Sequence, residues 1–117
     1  MKSLSIVIPA YNELANFKAG KLDQINEYLK KRQLDWEVII VDDGSTDSSN
    51  ELIKKYTQNK KNWHFIQNSH QGKTNTIKTG VFIAKKPFTL FTDFDQSTHI
   101  SEVEKLTPFI SKDFKVI

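Results

Sequence analysis

Short apolar runs alternate with longer stretches of helical period along this chain. The apolar runs are "SLSIVI" (3–8), "WEVIIV" (36–41), "WHFIQ" (63–67), "FTLFT" (88–92) and "FKVI" (114–117). Each run is rich in Val, Ile, Phe or Trp, which favour extended strands. Strands that alternate with helices are typical of βαβ units. The pattern therefore predicts an α/β fold with a mostly parallel sheet and flanking helices.

Four stretches repeat apolar residues at helical spacing. They are Leu22, Ile25, Tyr28 and Leu29; Leu52, Ile53 and Tyr56; Ile77, Val81 and Ala84; and Ile100, Val103, Leu106 and Ile110. The third of these helices is predicted over 76–84, and Gly80 within it indicates close packing against the sheet. The sequence therefore predicts a helix after each of the first four strands.

Two of these helices carry signals for their first turn. The candidate N-caps of the second helix are Ser45, Thr46 and Asp47, because their side chains can accept hydrogen bonds from free backbone amides. Ser101 and Glu104 have the spacing of a capping box at the start of the fourth helix.

The composition is that of one globular domain. With 117 residues, 38% hydrophobic and 26% charged, the chain can form a single packed core. Its net charge is +3 and its lysines are spread in short pairs, so no nucleic-acid partner is predicted. The chain has no cysteine, which excludes disulfides, thiolate metal sites and thiol nucleophiles. The apolar stretch at residues 4–8 is too short for a signal peptide, and no membrane span is predicted.

Most of the conspicuous polar residues follow predicted strands. Three loops, "PAYNE" (9–13), "DDGSTD" (42–47) and "DFDQST" (93–98), come directly after apolar runs. In an open parallel sheet the carboxyl ends of the strands meet the amino ends of the helices, and ligands bind at that edge. The sequence therefore predicts a ligand site built from these three loops.

The first two loops contain candidate nucleotide contacts. Asp42 directly follows "VIIV", where a buried carboxylate is costly unless a donor satisfies it, and a nucleobase N–H or a ribose hydroxyl would do so. One interpretation of Asp43, Ser45 and Asp47 is that they bond turn and cap amides, and this is the prediction for Ser45, Thr46 and Asp47. The Tyr11 ring is suited either to stacking on a base or to packing, and the Glu13 carboxylate is suited to ribose hydroxyls.

The third loop places two carboxylates around an aromatic residue. Alternate residues of an extended chain share a face, so Asp93 and Asp95 point one way while Phe94 points into the core. One interpretation is a turn in which an aspartate accepts a backbone amide. The other is a Mg²⁺ or Mn²⁺ site completed by phosphate oxygens, because these ions take few protein ligands and accept the rest from substrate.

A fourth segment, "NSHQGKTN" (68–75), precedes the third helix. It lacks the spacing of a P-loop, so Lys73 is open to two interpretations, a phosphate contact at a helix start or a solvated side chain. His70, His99, Trp36 and Trp63 are interpreted as structural, and no Ser/His/Asp triad is apparent.

Four segments together resemble a known family. In order, "IVIPAYNE", "VIIVDDGSTD", "HQGKTNTIKTG" and "FTDFDQST" resemble family 2 glycosyltransferases of the GT-A fold, in particular the polyprenyl (dolichyl) phosphate sugar transferases. The resemblance implies a Rossmann-like GT-A fold. It also implies that residues 1–117 are the N-terminal nucleotide-sugar-binding part of such a domain, which leads us to expect a truncated or half domain.

The resemblance also implies roles for matching residues. Pro9, Tyr11 and Glu13 would line a uridine or guanosine pocket, Asp42 with Asp43 beside it would contact the base, Lys73 would lie near the phosphates, and Asp93 and Asp95 would hold Mg²⁺ or Mn²⁺. Of the last two, Asp95 would be the surer metal ligand, with Asp93 towards the ribose and diphosphate. Family members usually have Gly or Ala after the Gly-Lys pair and a small residue inside D-x-D. Thr74 and Phe94 stand at those positions here, which bears on the choice of sugar.

The activity implied is inverting transfer of a sugar from a UDP-glucose or GDP-mannose type donor to a lipid phosphate or glycan, in cell wall or glycolipid biosynthesis. The family's catalytic base is expected beyond residue 117, so we expect poor or no turnover by this chain alone. The alternative is a non-catalytic nucleotide-sugar-binding half-domain. The resemblance implies the cytoplasm, including the cytoplasmic face of a membrane, and a homo-oligomer is left open.

Overall fold

A computed structural model describes residues 2–32, 34–103 and 105. In chain order the elements are β1 (Lys2–Ala10), α1 (Leu14–Lys18), α2 (Lys21–Lys30), β2 (Leu34–Asp42), α3 (Ser49–Gln58), β3 (Trp63–Gln67), α4 (Lys73–Ile83), β4 (Phe88–Phe91) and a 3₁₀ turn (Ile100–Glu102). The four predicted strands within this range are confirmed, whereas the short helix α1 was not predicted. The predicted strand at 114–117 lies outside the described residues.

The four strands form one parallel sheet in the order β3-β2-β1-β4. Ile6 of β1 is paired with Val38 of β2 on one side and with Leu90 of β4 on the other. Because all strands run the same way, their carboxyl ends meet at one edge, called here the C-terminal edge. The predicted parallel α/β fold is confirmed. No helix in the described part of the chain is long and apolar enough to cross a bilayer.

One face of the sheet carries the main hydrophobic core. Fully buried members of this cluster from the strands are Leu4, Ile6, Ile8, Val38 and Ile40, and those from the helices are Leu22, Ile25, Leu29 and Ile53. Every second strand residue points to this face, and the α2 residues at helical spacing pack against them. The predicted apolar face of α2 is therefore confirmed, and burial of this surface is the main favourable term in the stability of the fold.

Helix α4 covers the opposite face of the sheet, and its buried side differs from the predicted one. The helix begins at Lys73 rather than residue 76, and its buried residues are Thr76 and Gly80. The predicted inward residues Ile77, Val81 and Ala84 are only half-buried. Thr76 can face the sheet because its hydroxyl donates within the helix, to the carbonyl oxygens of Lys73 (2.6 Å) and Gly72 (3.1 Å).

The prediction of close packing at Gly80 is confirmed. A Cβ added there would lie 2.3 Å from Cγ1 of Val7, which is fully buried in β1. We expect Gly80→Ala to lower the free energy of unfolding by about 1–3 kcal/mol, because overpacking outweighs the gain of about 1 kcal/mol in helix propensity. Urea unfolding of Gly80→Ala, Val7→Ala and the double variant tests this. The space opened at Val7 should make the double variant more stable than the two single losses predict, and simple additivity would contradict the account.

Both predicted helix caps are displaced. The N-cap of α3 is Ser48 in a left-handed conformation (φ 72°), because Asp47 is used before the helix, accepting from the amides of Ser49 and Leu14. In the fourth helical segment His99 is the cap, and its Nδ1 accepts from the Ser101 amide at 3.0 Å. Ser101 lies inside this turn rather than at its N-cap, and the predicted capping box itself is not tested because it requires Glu104. Glu104, Leu106 and Ile110 lie outside the described residues.

Candidate functional site

A cavity of about 450 Å³ opens at the C-terminal edge of the sheet. It is lined by Pro9, Ala10, Tyr11, Glu13, Asp43, His70, Gly72, Lys73, Thr76, Asp93, Phe94 and Asp95. These residues lie at the ends of the four strands or in the segments that follow them, as the topology requires of a site at this edge. All predicted site residues except Asp42 are brought together there, and the volume is within the usual range for a small-molecule site.

Asp42 is fully buried and serves its own turn. Its Oδ2 accepts from the backbone amides of Gly44 (3.0 Å) and Ser45 (2.8 Å), and its Oδ1 accepts from the Ser45 hydroxyl (2.5 Å). These three donors supply the compensation that a buried carboxylate needs. A contact between Asp42 and a nucleobase stays a prediction, and this geometry does not favour it.

The neighbouring Asp43 reaches the cavity and holds the segment at 70–72. The residue is 4% exposed, and its carboxylate accepts from the amides of Gln71 (2.8 Å) and Gly72 (3.1 Å). The same carboxylate lies 2.9 Å from Nδ1 of His70. The loop after β2 passes so close to this segment that a Cβ at Gly44 would lie 2.8 Å from the His70 amide nitrogen. Asp43 therefore fixes the loop after β3 against the loop after β2.

His70 belongs to the cavity, although the sequence suggested a structural role. Its ring stacks on Tyr11 with centroids 4.5 Å apart and an interplanar angle of 29°. The sequence signals for it are its position shortly after β3 and its place at the start of the segment "HQGKTNTIKTG". The other three residues interpreted as structural behave differently from His70. Trp63 is in the core, Trp36 packs against it, and His99 caps a turn.

Side-chain hydrogen bonds join the loop after β1 to the loop after β2. The Ser45 hydroxyl accepts from the Asn12 amide (2.9 Å), and the Asn12 side chain accepts from the Thr46 amide (2.8 Å). Asp47 accepts from the Leu14 amide at 3.2 Å. The predicted turn role of Asp47, which also accepts from the Ser49 amide, is confirmed, whereas the Ser45 hydroxyl accepts from an amide of the neighbouring loop. These bonds fix the position of Tyr11 at the cavity.

Glu13 is a half-buried carboxylate in this cavity. Its pKa is raised, mainly by burial, although a hydrogen bond from the Asn16 side chain (2.9 Å) acts in the opposite direction. The nearby charges of Asp95 and Asp47 raise the pKa further. A cation or a hydroxyl donor bound beside Glu13 would therefore relieve an unfavourable local charge.

The residues after β4 form the acidic side of the cavity. Asp93 pairs with Lys73 at 2.7 Å, and both side chains are about half exposed. Oδ1 of Asp95 accepts from the Ser97 amide at 2.9 Å, so the predicted turn is present. Phe94 is 2% exposed and packs in the core, as predicted.

The donor set fits a metal ion that is completed by substrate. Among the residues the structure describes, no three His, Cys, Asp or Glu side chains come together as a metal cluster. Asp93 and Asp95 do line one cavity with Lys73 and Glu13. Mg²⁺ that is bound with a nucleotide is usually held by one or two carboxylates of the protein together with phosphate oxygens of the nucleotide.

The chain is similar in sequence and fold to known glycosyltransferases. Over 115 residues the chain is 33% identical to the dolichyl-phosphate beta-glucosyltransferase of Saccharomyces cerevisiae. The match covers 93% of this chain and 34% of the relative. The structure of S. aureus TarS 1-349 in complex with UDP matches with a TM-score of 0.68 and 28% identity, over 95% of this chain and 32% of that one. The structure of the mannosyltransferase PcManGT from Pyrobaculum calidifontis, in complex with GDP-Man and Mn²⁺, matches with a TM-score of 0.67 and 25% identity. This match covers 79% of this chain and 27% of that one.

The chain spans 34–36% of the length of three dolichyl-phosphate beta-glucosyltransferases that it matches, those of yeast, mouse and human. The likeness to solved glycosyltransferases confirms the predicted GT-A fold. The sequence profile named "Glycosyl transferase family 2" matches residues 5–117. With a profile match over nearly its whole length, and a cavity at the edge where its parallel strands end, this chain belongs to glycosyl transferase family 2.

Proposed function

We propose that residues 1–117 form the donor-binding part of an inverting glycosyltransferase. The donor is a nucleotide diphosphate sugar of the UDP-glucose or GDP-mannose type, and the acceptor is a lipid phosphate or a glycan. The observation that carries the proposal is one cavity that combines an aromatic pair, Tyr11 with His70, and the charged group of Lys73, Asp93 and Asp95. A nucleoside diphosphate has the matching parts, a flat base and a diphosphate.

The residues divide into two groups by chemistry. Tyr11 is 42% exposed and offers a ring face to a base, while Glu13 accepts from ribose hydroxyls. Lys73 contacts phosphate oxygens, and Asp93 and Asp95 would hold Mg²⁺ or Mn²⁺. Such an ion, when bound, stabilises the departing diphosphate as a Lewis acid.

Lys73 has an anionic partner in the free protein and would have another in the complex with a diphosphate. In the free protein its ammonium neutralises Asp93 at 2.7 Å. A bound diphosphate offers the same ammonium a second anionic partner, and an exposed pair of this kind costs little to rearrange because it contributes only about 0–1 kcal/mol. Loss of this pair would therefore oppose diphosphate binding only weakly.

An inverting glycosyltransferase also needs a catalytic base. Inverting displacement at the anomeric carbon needs a group that takes the proton of the acceptor. Among the described residues we assign none, and we propose that it lies beyond residue 117. By analogy with the lipid-phosphate relatives, we place the enzyme at the cytoplasmic face of a membrane, in glycolipid or cell wall biosynthesis. A non-catalytic half-domain that binds the nucleotide sugar is the second candidate.

Calorimetric titration with UDP, UDP-glucose and GDP-mannose, with and without Mn²⁺, tests the proposal. We expect Mn²⁺ to tighten binding by about tenfold, which corresponds to about 1.4 kcal/mol. Asp95→Asn should remove this gain because it removes a ligand charge. Asp35→Asn is the matched control, since Asp35 is an exposed aspartate at the start of β2, outside the cavity.

Two outcomes are informative. If none of the three ligands binds to folded protein, the proposed function is wrong. If they bind, a transfer assay on the same sample with a polyprenyl phosphate acceptor separates the two candidates: binding without transfer favours the half-domain, and rapid transfer contradicts our assignment of the base beyond residue 117.

A further inference from the structure

Asp43 holds the His70 imidazole in a single tautomer. Nδ1 of His70 lies 2.9 Å from a carboxylate oxygen of Asp43 and 3.1 Å from its carbonyl oxygen. Both oxygens can only accept, so Nδ1 carries the proton. In a neutral imidazole the other nitrogen, Nε2, is then an acceptor without a hydrogen.

The orientation of the ring is fixed as well as its tautomer. One face of the imidazole stacks on Tyr11, and the following amides of Gln71 and Gly72 bond to the same Asp43 carboxylate. The side chain of His70 is nevertheless 61% exposed and lines the cavity. None of the hydrogen bonds between described residues uses Nε2. His70 is therefore a positioned acceptor that is available to a ligand.

We propose that His70 determines which nucleobase the donor carries, an inference that rests on the proposed function. Uracil and guanine each have a ring N–H on the edge that pairs with other bases, at N3 and N1 respectively. Nε2 of His70 would accept from that hydrogen. Cytosine and adenine have a lone pair at the equivalent nitrogen, which would face the lone pair of Nε2. The geometry thus selects uridine and guanosine donors over cytidine and adenosine donors.

The opposite protonation state makes the opposite prediction. A doubly protonated imidazole would donate from Nε2, and it would favour the ring lone pair of cytosine or adenine over the N–H of uracil or guanine. The measurements are therefore made at one fixed pH, pH 8, and the tautomer itself is read directly in the second test. The direction of selectivity then reports on the tautomer that the Asp43 contacts imply.

The first test compares the affinities of UDP, GDP, CDP and ADP for the 117-residue chain. We expect UDP to bind about tenfold more tightly than CDP, and GDP about tenfold more tightly than ADP, because an unmatched polar group in a site is penalised. His70→Phe keeps a ring against Tyr11 but has no acceptor, so both ratios should fall to about two or less. His64→Phe, a change at a histidine outside the cavity, should keep the wild-type ratios.

The second test does not depend on a variant. Long-range ¹⁵N–¹H spectra of the wild-type chain should show His70 protonated at Nδ1, with the Nε2 resonance shifting on addition of UDP but not of CDP. Equal affinity for UDP and CDP in the wild type, retained selectivity in folded His70→Phe, or an Nε2–H tautomer would each overturn the inference and leave the proposed function standing. Failure to bind any of the four nucleotides would instead refute the proposed function, and the inference with it.

Discussion

Replacing Asp42 with alanine should lower the free energy of unfolding by about 3 kcal/mol, because hydrogen bonds to a charged group contribute about 1.5–3 kcal/mol each and part of the loss is recovered by hydration. The carboxylate is fully buried and accepts from two amides and one hydroxyl of its own turn, those of Gly44 and Ser45. The loss should appear as a lower urea midpoint with an unchanged slope. UDP affinity should also fall, because Ser45 in turn holds the Asn12 amide next to Tyr11.

Asp35→Ala is the matched control for this experiment. Asp35 is exposed and its main partners are Lys86 and Ser3, so its removal should change stability by less than about 1 kcal/mol. A folded Asp42→Ala variant with wild-type stability but no UDP binding would contradict our account. That result would instead support the direct contact between Asp42 and the base that the family resemblance implies.

The fold could be predicted because it depends on periods within short windows. The alternation of "VIIV" strands with stretches such as that from Leu22 to Leu29 specifies βαβ units, and the right-handed crossover rule leaves few ways to arrange them. The C-terminal edge follows from the parallel direction alone. The predicted loops at 9–13, 42–47 and 93–98 therefore came together without any knowledge of side-chain contacts.

The roles of Asp42 and Asp43 could not be distinguished in the same way. Successive residues at a strand end point to opposite sides, so one of the pair must turn inward. Asp42 follows the alternation of Val38 and Ile40 towards the main core, where the amides of its own turn satisfy it. Which residue does so depends on the path of the loop after β2, and "DDGS" is compatible with both arrangements.

His70 was missed for a related reason. Its contacts with Asp43 and Tyr11 join residues that are 27 and 59 positions apart, and nothing in "NSHQGK" signals them. The buried face of α4 was predicted wrongly because Thr76 looks like a polar surface residue until its hydroxyl bonds are seen. Local sequence thus located the site but did not identify the partners within it.

Glu37 is a buried carboxylate outside the cavity, so a change there should affect stability without affecting binding. This residue is 5% exposed, and its Oε2 accepts from the Ser5 hydroxyl (2.6 Å) and the Lys85 amide (2.7 Å). Ser5 is fully buried and accepts in turn from the Lys86 amide (3.1 Å), so the pair fixes the turn between α4 and β4. Glu37→Ala should lower the free energy of unfolding by about 3 kcal/mol, because it leaves buried donors without an acceptor. Glu37 does not line the cavity at the C-terminal edge, so UDP affinity should stay within about threefold of wild type in the fraction that is folded.

The pH dependence of Glu37→Gln tests the charge of this carboxylate. Burial raises the pKa of Glu37, but hydrogen bonds from Ser5 and Lys85, with the charges of His64 and Lys86, outweigh it and leave the pKa below the usual 4.5. A lowered carboxyl pKa means that the unfolded chain binds protons more readily, so Glu37 contributes stability above pH 4.5 and loses it as the pH falls below that value. The stability difference between wild type and Glu37→Gln should therefore be largest near pH 6 and shrink towards pH 3. A difference that does not change with pH would show that the shape of the side chain, rather than its charge, holds the turn between α4 and β4.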